Sequence, residues 1–128
     1  MGVLAPPPDV EDPRRGSNTW RVTALSGVVV LVLVTVHMIA HHFVVKEVGG
    51  LRTYRQVLEY IGNPVILVLE ELFLVAVTWH ALLGVRAVLF DLGLAAASRR
   101  RVTRGLVVLG VLTVGYGSFL VLTLASRA

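Results

Sequence analysis

Four histidines and a handful of carboxylates stand in long apolar runs, and they are the groups here that could do chemistry. His37, His41 and His42 form one set. Positions 37 and 41 lie one helical turn apart and share a face, while position 42 points about 100° away from 41. An imidazole there can ligate a haem or a metal ion, and the alternative is an interfacial cluster bonded to headgroups or to a loop. The second set lies in Trp79-His80-Ala81-Leu82-Leu83-Gly84-Val85-Arg86-Ala87-Val88-Leu89-Phe90-Asp91. At 1.5 Å per residue, His80 is ~15 Å from Phe90 along a helix, where a neutral imidazole suits the iron of a b-type haem. Gly84, one turn on, removes a side chain from the same face and would let a flat macrocycle lie against it. Arg86 can bind an anionic group such as a propionate or a phosphate. Asp91 could pair with Arg86 or help deliver a proton to a quinone. The plainer alternative is a histidine bonded to a neighbouring helix, with ordinary interfacial charges around it.

The elements that position these groups follow from composition. Of the 128 residues, 55% are hydrophobic and only 16% charged, against roughly 25% charged in an average soluble domain. The charges gather at the ends of three apolar runs. Each run meets the ~20 residues needed to cross a ~30 Å hydrocarbon core. We therefore expect an all-α integral membrane protein with spans at about 22–45, 64–90 and 105–125. Asn63-Pro64 opens the second span, proline being suited to a first helical turn. Residues 1–20, with Pro6, Pro7, Pro8 and Pro13, read as a disordered or extended tail, and residues 21–128 as the membrane unit. The loop at 46–62 is polar and partly helical from Tyr54 to Tyr60, two tyrosines placed to anchor at the interface. The second loop, 93–104, is short and basic. Gly110, Gly115, Gly117 and Ser118 give the third span small surfaces for close helix contact.

Orientation follows from Lys and Arg near the span ends. The N-terminal tail and second loop hold seven (Arg14, Arg15, Arg21, Arg99, Arg100, Arg101, Arg104), and the opposite side four (Lys46, Arg52, Arg55, Arg127). That places the N-terminus in the cytoplasm and the C-terminus outside. The net charge of +4 is explained by these span-end arginines rather than by nucleic-acid binding. The chain has no cysteine, which excludes disulfides, thiolate-held iron–sulfur clusters and cysteine catalysis in this chain. No Ser/His/Asp set or phosphate loop points to hydrolytic or nucleotide chemistry, and no catalytic residue is expected. Glu70 and Glu71, near the outer start of the second span, are expected to pair with Lys46 or Arg52. His37 lies ~24 Å from the inner end and His80 ~15 Å. The gap, on the order of 10 Å, argues against one shared iron, whose axial nitrogens are only ~4 Å apart. Each histidine would need a partner ligand from another chain.

The segment His80-Ala81-x-x-Gly84-x-x-x-Val88-Leu89-x-Asp91, with Gly84-x-Arg86, resembles the second membrane helix of succinate dehydrogenase (succinate:quinone oxidoreductase, respiratory complex II) anchor subunits. Arg21-x4-Ser26-Gly27 opens the first span in keeping with that pattern, and a histidine follows in its outer half. The resemblance implies a membrane anchor that docks a flavoprotein and an iron–sulfur subunit and, with a second anchor subunit, builds quinone and haem b sites in the cell's plasma membrane. It implies His80 as axial haem ligand, Arg86 as a propionate contact and Asp91 beside the quinone, with Trp79 lining that site. A second haem would fall to His37, with His41 as the substitute. One departure stands out: Leu92 occupies a position where many relatives carry a quinone-bonding tyrosine. An anchor of fumarate reductase is the neighbouring alternative, and a cofactor-free membrane scaffold the alternative of a different class.

Overall fold

The computed structural model describes residues 13–43 and 53–128, with side chains from Asn18 onward. Four helices follow in order: α1 (Pro13–Phe43), α2 (Tyr54–Ile61), α3 (Pro64–Asp91) and α4 (Ala96–Ala125). There is no strand among the described residues. Three stretches are long and apolar enough to cross a membrane: Asn18–Phe43, Pro64–Asp91 and Ala96–Ala125, with mean hydropathies of 2.4, 1.9 and 2.1. The 28 residues of α3 span ~42 Å at 1.5 Å rise, enough to cross the hydrocarbon with tilt.

Two of these helices run past the apolar windows expected to bound them. Helix α1 starts at Pro13, so part of the stretch expected as an extended tail is helical. Helix α4 starts at Ala96, so most of the expected basic loop is its first turns. The physical reason is the same at both places. Arginine is a good helix former, and a helix does not stop where its side chains leave the lipid. Residues 44 and 45, expected to close the first span, lie outside the described residues, as does the expected extension at 1–12.

The polar segment before α3 is helical over Tyr54–Ile61, close to the expected 54–60. Thr53 and Gln56 close a reciprocal capping box at the start of α2. Asn63 then caps α3, its Oδ1 accepting from the backbone N–H of Val65 at 2.9 Å and of Ile66 at 3.4 Å, with Pro64 in the first turn. Only Gly62 and Asn63 separate the two helices, so α2 turns back across the end of the bundle. Tyr60, Ile61 and Ile66 are its buried hydrophobic side chains, packed against Ala40 of α1 and Val121, Leu124 and Ala125 of α4. At the opposite end Gly93, at φ 77°, makes the turn from α3 to α4, a conformation that L side chains rarely adopt.

The long helices run antiparallel in sequence. Ser26 meets His80 and His37 meets Glu70 across α1 and α3. Glu71 meets Ser118 across α3 and α4, while Gly110 and Gly117 face Leu82 and Leu74 at close approach. Among the described residues no Cα of α1 comes within 8 Å of a Cα of α4. The arrangement is a row with α3 in the middle. Large apolar side chains point outward along all three helices: Leu31 and Val111, for example, are about two-thirds exposed. In water such a surface would aggregate, and in a bilayer lipid tails cover it. The threonine hydroxyls fit that solvent too. Thr23, Thr35, Thr103 and Thr123 each donate to the carbonyl four residues back, which matches their own hydroxyl protons within the helix.

Candidate functional site

His37, His41, Glu70, Glu71 and His80 lie in the seams on either side of α3. On the α1 side, His80 Nδ1 is 2.9 Å from Ser26 Oγ. Ser26 donates its own proton to the Thr23 carbonyl at 2.7 Å, so its oxygen is left to accept. The serine has one proton, and spending it on Thr23 makes His80 Nδ1 the donor. The ring lone pair is then on Nε2, the nitrogen that would face a metal. Metal-ligating histidines commonly have this second hydrogen bond, which sets tautomer and ring direction. Beneath the ring lies Gly27, where a Cβ would sit 3.2 Å from His80 Cε1. The ring thus rests on bare backbone. One turn along α3, a Cβ on Gly84 would meet nothing within 4 Å, so the packing of this chain does not require that glycine. A seated, tautomer-fixed imidazole beside open space is one that could hold a haem iron through Nε2.

The other expected site residues lie elsewhere on α3. Trp79 and Arg86 line a groove of about 680 Å³ between α3 and α4, with Leu82, Gly110 and Val114 among its walls. His80 is not part of it. Six residues separate His80 from Arg86, which turns them about 120° apart, so the structure does not bring Arg86 to the imidazole. Nor do Arg86 and Asp91 pair. Five residues place them about 140° apart, and Arg86 instead lays its guanidinium 4.5 Å from the Phe90 ring centroid while its buried Nε lacks a hydrogen-bond partner. Arg99, which sequence reasoning used only for orientation, approaches the same ring at 5.3 Å. Asp91 and Leu92 are exposed at the end of α3.

At the α2 end, His37 Nδ1 and Glu70 Oε1 are 2.9 Å apart, and His41 Nε2 is 3.7 Å from the same oxygen. Tyr60 donates to that oxygen at 2.7 Å. Tyr60 is therefore not the interfacial anchor expected of it, because α2 folds inward and carries its hydroxyl to a carboxylate. The His37 ring lies 4.2 Å from the His41 ring and 4.9 Å from Phe73, centroid to centroid. The partners expected for the glutamates, Lys46 and Arg52, lie outside the described residues. Among the described residues Glu70 pairs with histidines, and Glu71 accepts from Ser118 at 2.6 Å. His42 is exposed, with its ring against Phe43, and stands apart from this cluster. His37 and His80 meet α3 ten residues apart, or ~15 Å, so they occupy separate levels as their sequence depths implied.

Fold and site together define a multi-pass helical membrane protein that carries its ionisable groups in interhelical seams. Residues 11–119 match the model of the succinate dehydrogenase/fumarate reductase transmembrane subunit family, and the chain belongs to that family. It is similar to the succinate dehydrogenase hydrophobic membrane anchor subunit of Archaeoglobus fulgidus, at 29% identity over 105 residues, covering 82% of this chain and 87% of the relative. No solved structure matches it.

Proposed function

We propose that this chain anchors a succinate:quinone oxidoreductase in the plasma membrane, docking the iron–sulfur and flavoprotein subunits on its cytoplasmic, N-terminal side. With a second anchor chain it completes a haem b site and a quinone site. The observation that carries this reading is the His80 imidazole, held by Ser26 over Gly27 with Nε2 as its lone-pair nitrogen. A b-type haem bound there would supply a one-electron carrier. The work of this chain's own residues is positional. His80 would hold the haem iron through Nε2, with Ser26 fixing the ring, Gly27 seating it and Gly84 leaving its face open. The Asp91 carboxylate, exposed at the end of α3, can hold a proton for a quinone. Trp79 and Arg86 open onto the α3–α4 groove and give that site an aromatic wall and a cation. Leu92 offers no hydrogen bond, so a quinone donor comes from a partner subunit.

The test is a reduced-minus-oxidised visible spectrum of the detergent-purified complex isolated through this chain, with subunits identified by mass. A b-type band together with a flavoprotein and an iron–sulfur protein is the expected result. Those partners without the band would withdraw the haem role of His80, and a chain isolated with neither would favour a scaffold. A further expectation follows from the serine. Ser26→Ala removes the acceptor for the His80 Nδ1–H, and such supporting bonds raise ligand basicity. The haem midpoint potential should rise, because the ferric state loses a stronger donor. Haem retained through purification should fall, since losing such a bond typically costs 10–100-fold in affinity. An unchanged potential in a redox titration would show that Ser26 does not act through the imidazole.

A further inference from the structure

We infer that His37, His41 and Glu70 form a site for a single divalent transition-metal ion of the zinc class. The inference is independent of the anchor reading and of the haem at His80. One ligand atom from each of the three residues lies within 4.8 Å of the others. Around a tetrahedral zinc with bonds of ~2 Å, ligand atoms sit ~3.4 Å apart. The present separations from Glu70 Oε1, 2.9 Å to His37 and 3.7 Å to His41, bracket that value, so each need change by only a few tenths of an ångström.

The donor set selects the ion class. Two imidazoles and one carboxylate suit zinc and its transition-metal neighbours, whereas calcium and magnesium take oxygen ligands. The three ligands come from elements that hold them firmly. His37 and His41 stand one turn apart on α1, and Glu70 lies on the second turn of α3. The Tyr60 hydroxyl from α2 orients the carboxylate, as supporting partners do at metal sites.

The environment also asks for a cation. A carboxylate 14% exposed within a membrane span needs positive charge nearby. Among the described residues no lysine or arginine pairs with Glu70. Its ion-pair partners are histidines, which carry a full charge only when protonated, whereas a dication supplies charge outright. His41 is the most accessible of the three, at 32% exposure, and gives an ion its way in. The same geometry bears on the expected second haem. The rings of His41 and Phe73 flank the His37 imidazole, in contrast to the bare backbone under His80 and the open space at Gly84. A compact ion fits that setting better than a macrocycle.

The experiment uses the purified complex, stripped with a chelator and titrated with Zn²⁺. Zinc retained after desalting is counted by elemental analysis, and the thermal midpoint is followed. One saturable zinc per chain is expected, with a rise in midpoint as the folded state gains a ligand. Zinc-edge absorption should show two imidazole nitrogens and an oxygen. His37→Ala and Glu70→Gln should abolish both the stoichiometric zinc and the midpoint shift, while His42→Ala keeps them. Glu70→Gln preserves side-chain shape and covers the case in which His37→Ala fails to assemble. The visible haem spectrum should be unchanged in every variant that assembles. Absence of saturable zinc, equal loss on His42→Ala, or loss of a haem band on His37→Ala would each overturn the inference, the last by assigning His37 to haem.

Discussion

Replacing His80 with alanine should remove the b-type band contributed by this chain from the purified complex, while the three-helix row stays assembled. The two halves of that expectation rest on different physics. The band depends on one nitrogen, and the described residues offer no substitute at that level: His37 and His41 meet α3 about 15 Å away. The row depends on seams running the length of the helices. Within the α1–α3 seam, the Ser26–His80 hydrogen bond is worth about 0.5–1.5 kcal/mol net. Ser26 keeps its bond to the Thr23 carbonyl, so alanine at position 80 strands no hydroxyl proton. The measurement is the haem-to-protein ratio of the variant complex, read with its subunit composition. A full band in a complex with all its partners would exclude His80 as the ligand.

Filling the seat under the imidazole should have nearly the same effect with the histidine still present. An added Cβ at Gly27 lies 3.2 Å from His80 Cε1, 3.8 Å from Nδ1 and 3.9 Å from Nε2. Gly27→Ala therefore asks the ring to move by a few tenths of an ångström, and most of the haem should remain, with a shifted potential. Gly27→Leu adds a branched side chain where the ring lies and must turn the imidazole out of its seat. Overpacking of this kind commonly costs 1–3 kcal/mol, and ligand geometry is lost with it. We expect the haem-to-protein ratio to fall to the His80→Ala level. A Gly27→Leu complex with an unshifted, full band would mean that His80 works from another position than the one seen here.

Much of this architecture was legible in the sequence, and the exceptions share a cause. Three apolar runs gave the three spans, and Asn63-Pro64 marked the start of α3 where the structure places it. The starts of α1 and α4 were not legible. Apolar windows register where lipid ends, while arginine-rich turns carry the helix further. Of the site residues, His80 was visible because an imidazole in a span demands an explanation. Its hold was not visible as such. Ser26 and Gly27 stood only as part of a pattern at the start of the first span, and their contact with His80 crosses 54 residues of chain, a distance that local spacing does not encode. Glu70 shows the same limit. Loop cations were its obvious partners from sequence and lie outside the described residues, while the return of α2 over the bundle end brings Tyr60 to it, a contact the sequence pattern did not announce. Of the two roles open to Asp91, the pair with Arg86 fails on helical phase alone.

The row of helices has a mechanical consequence. Away from the α2 end, whose buried cluster packs against both α1 and α4, these two helices lean on α3 and not on each other, so α3 serves there as a spine with two leaves. One leaf can be loosened without prising the other away. Damage at the His80 side should therefore stay on that side, and substitutions in opposite seams that are more than about 10 Å apart should combine by simple addition rather than by synergy. A closed three-helix cluster would lack this modularity, since every helix there would share a wall with both of the others.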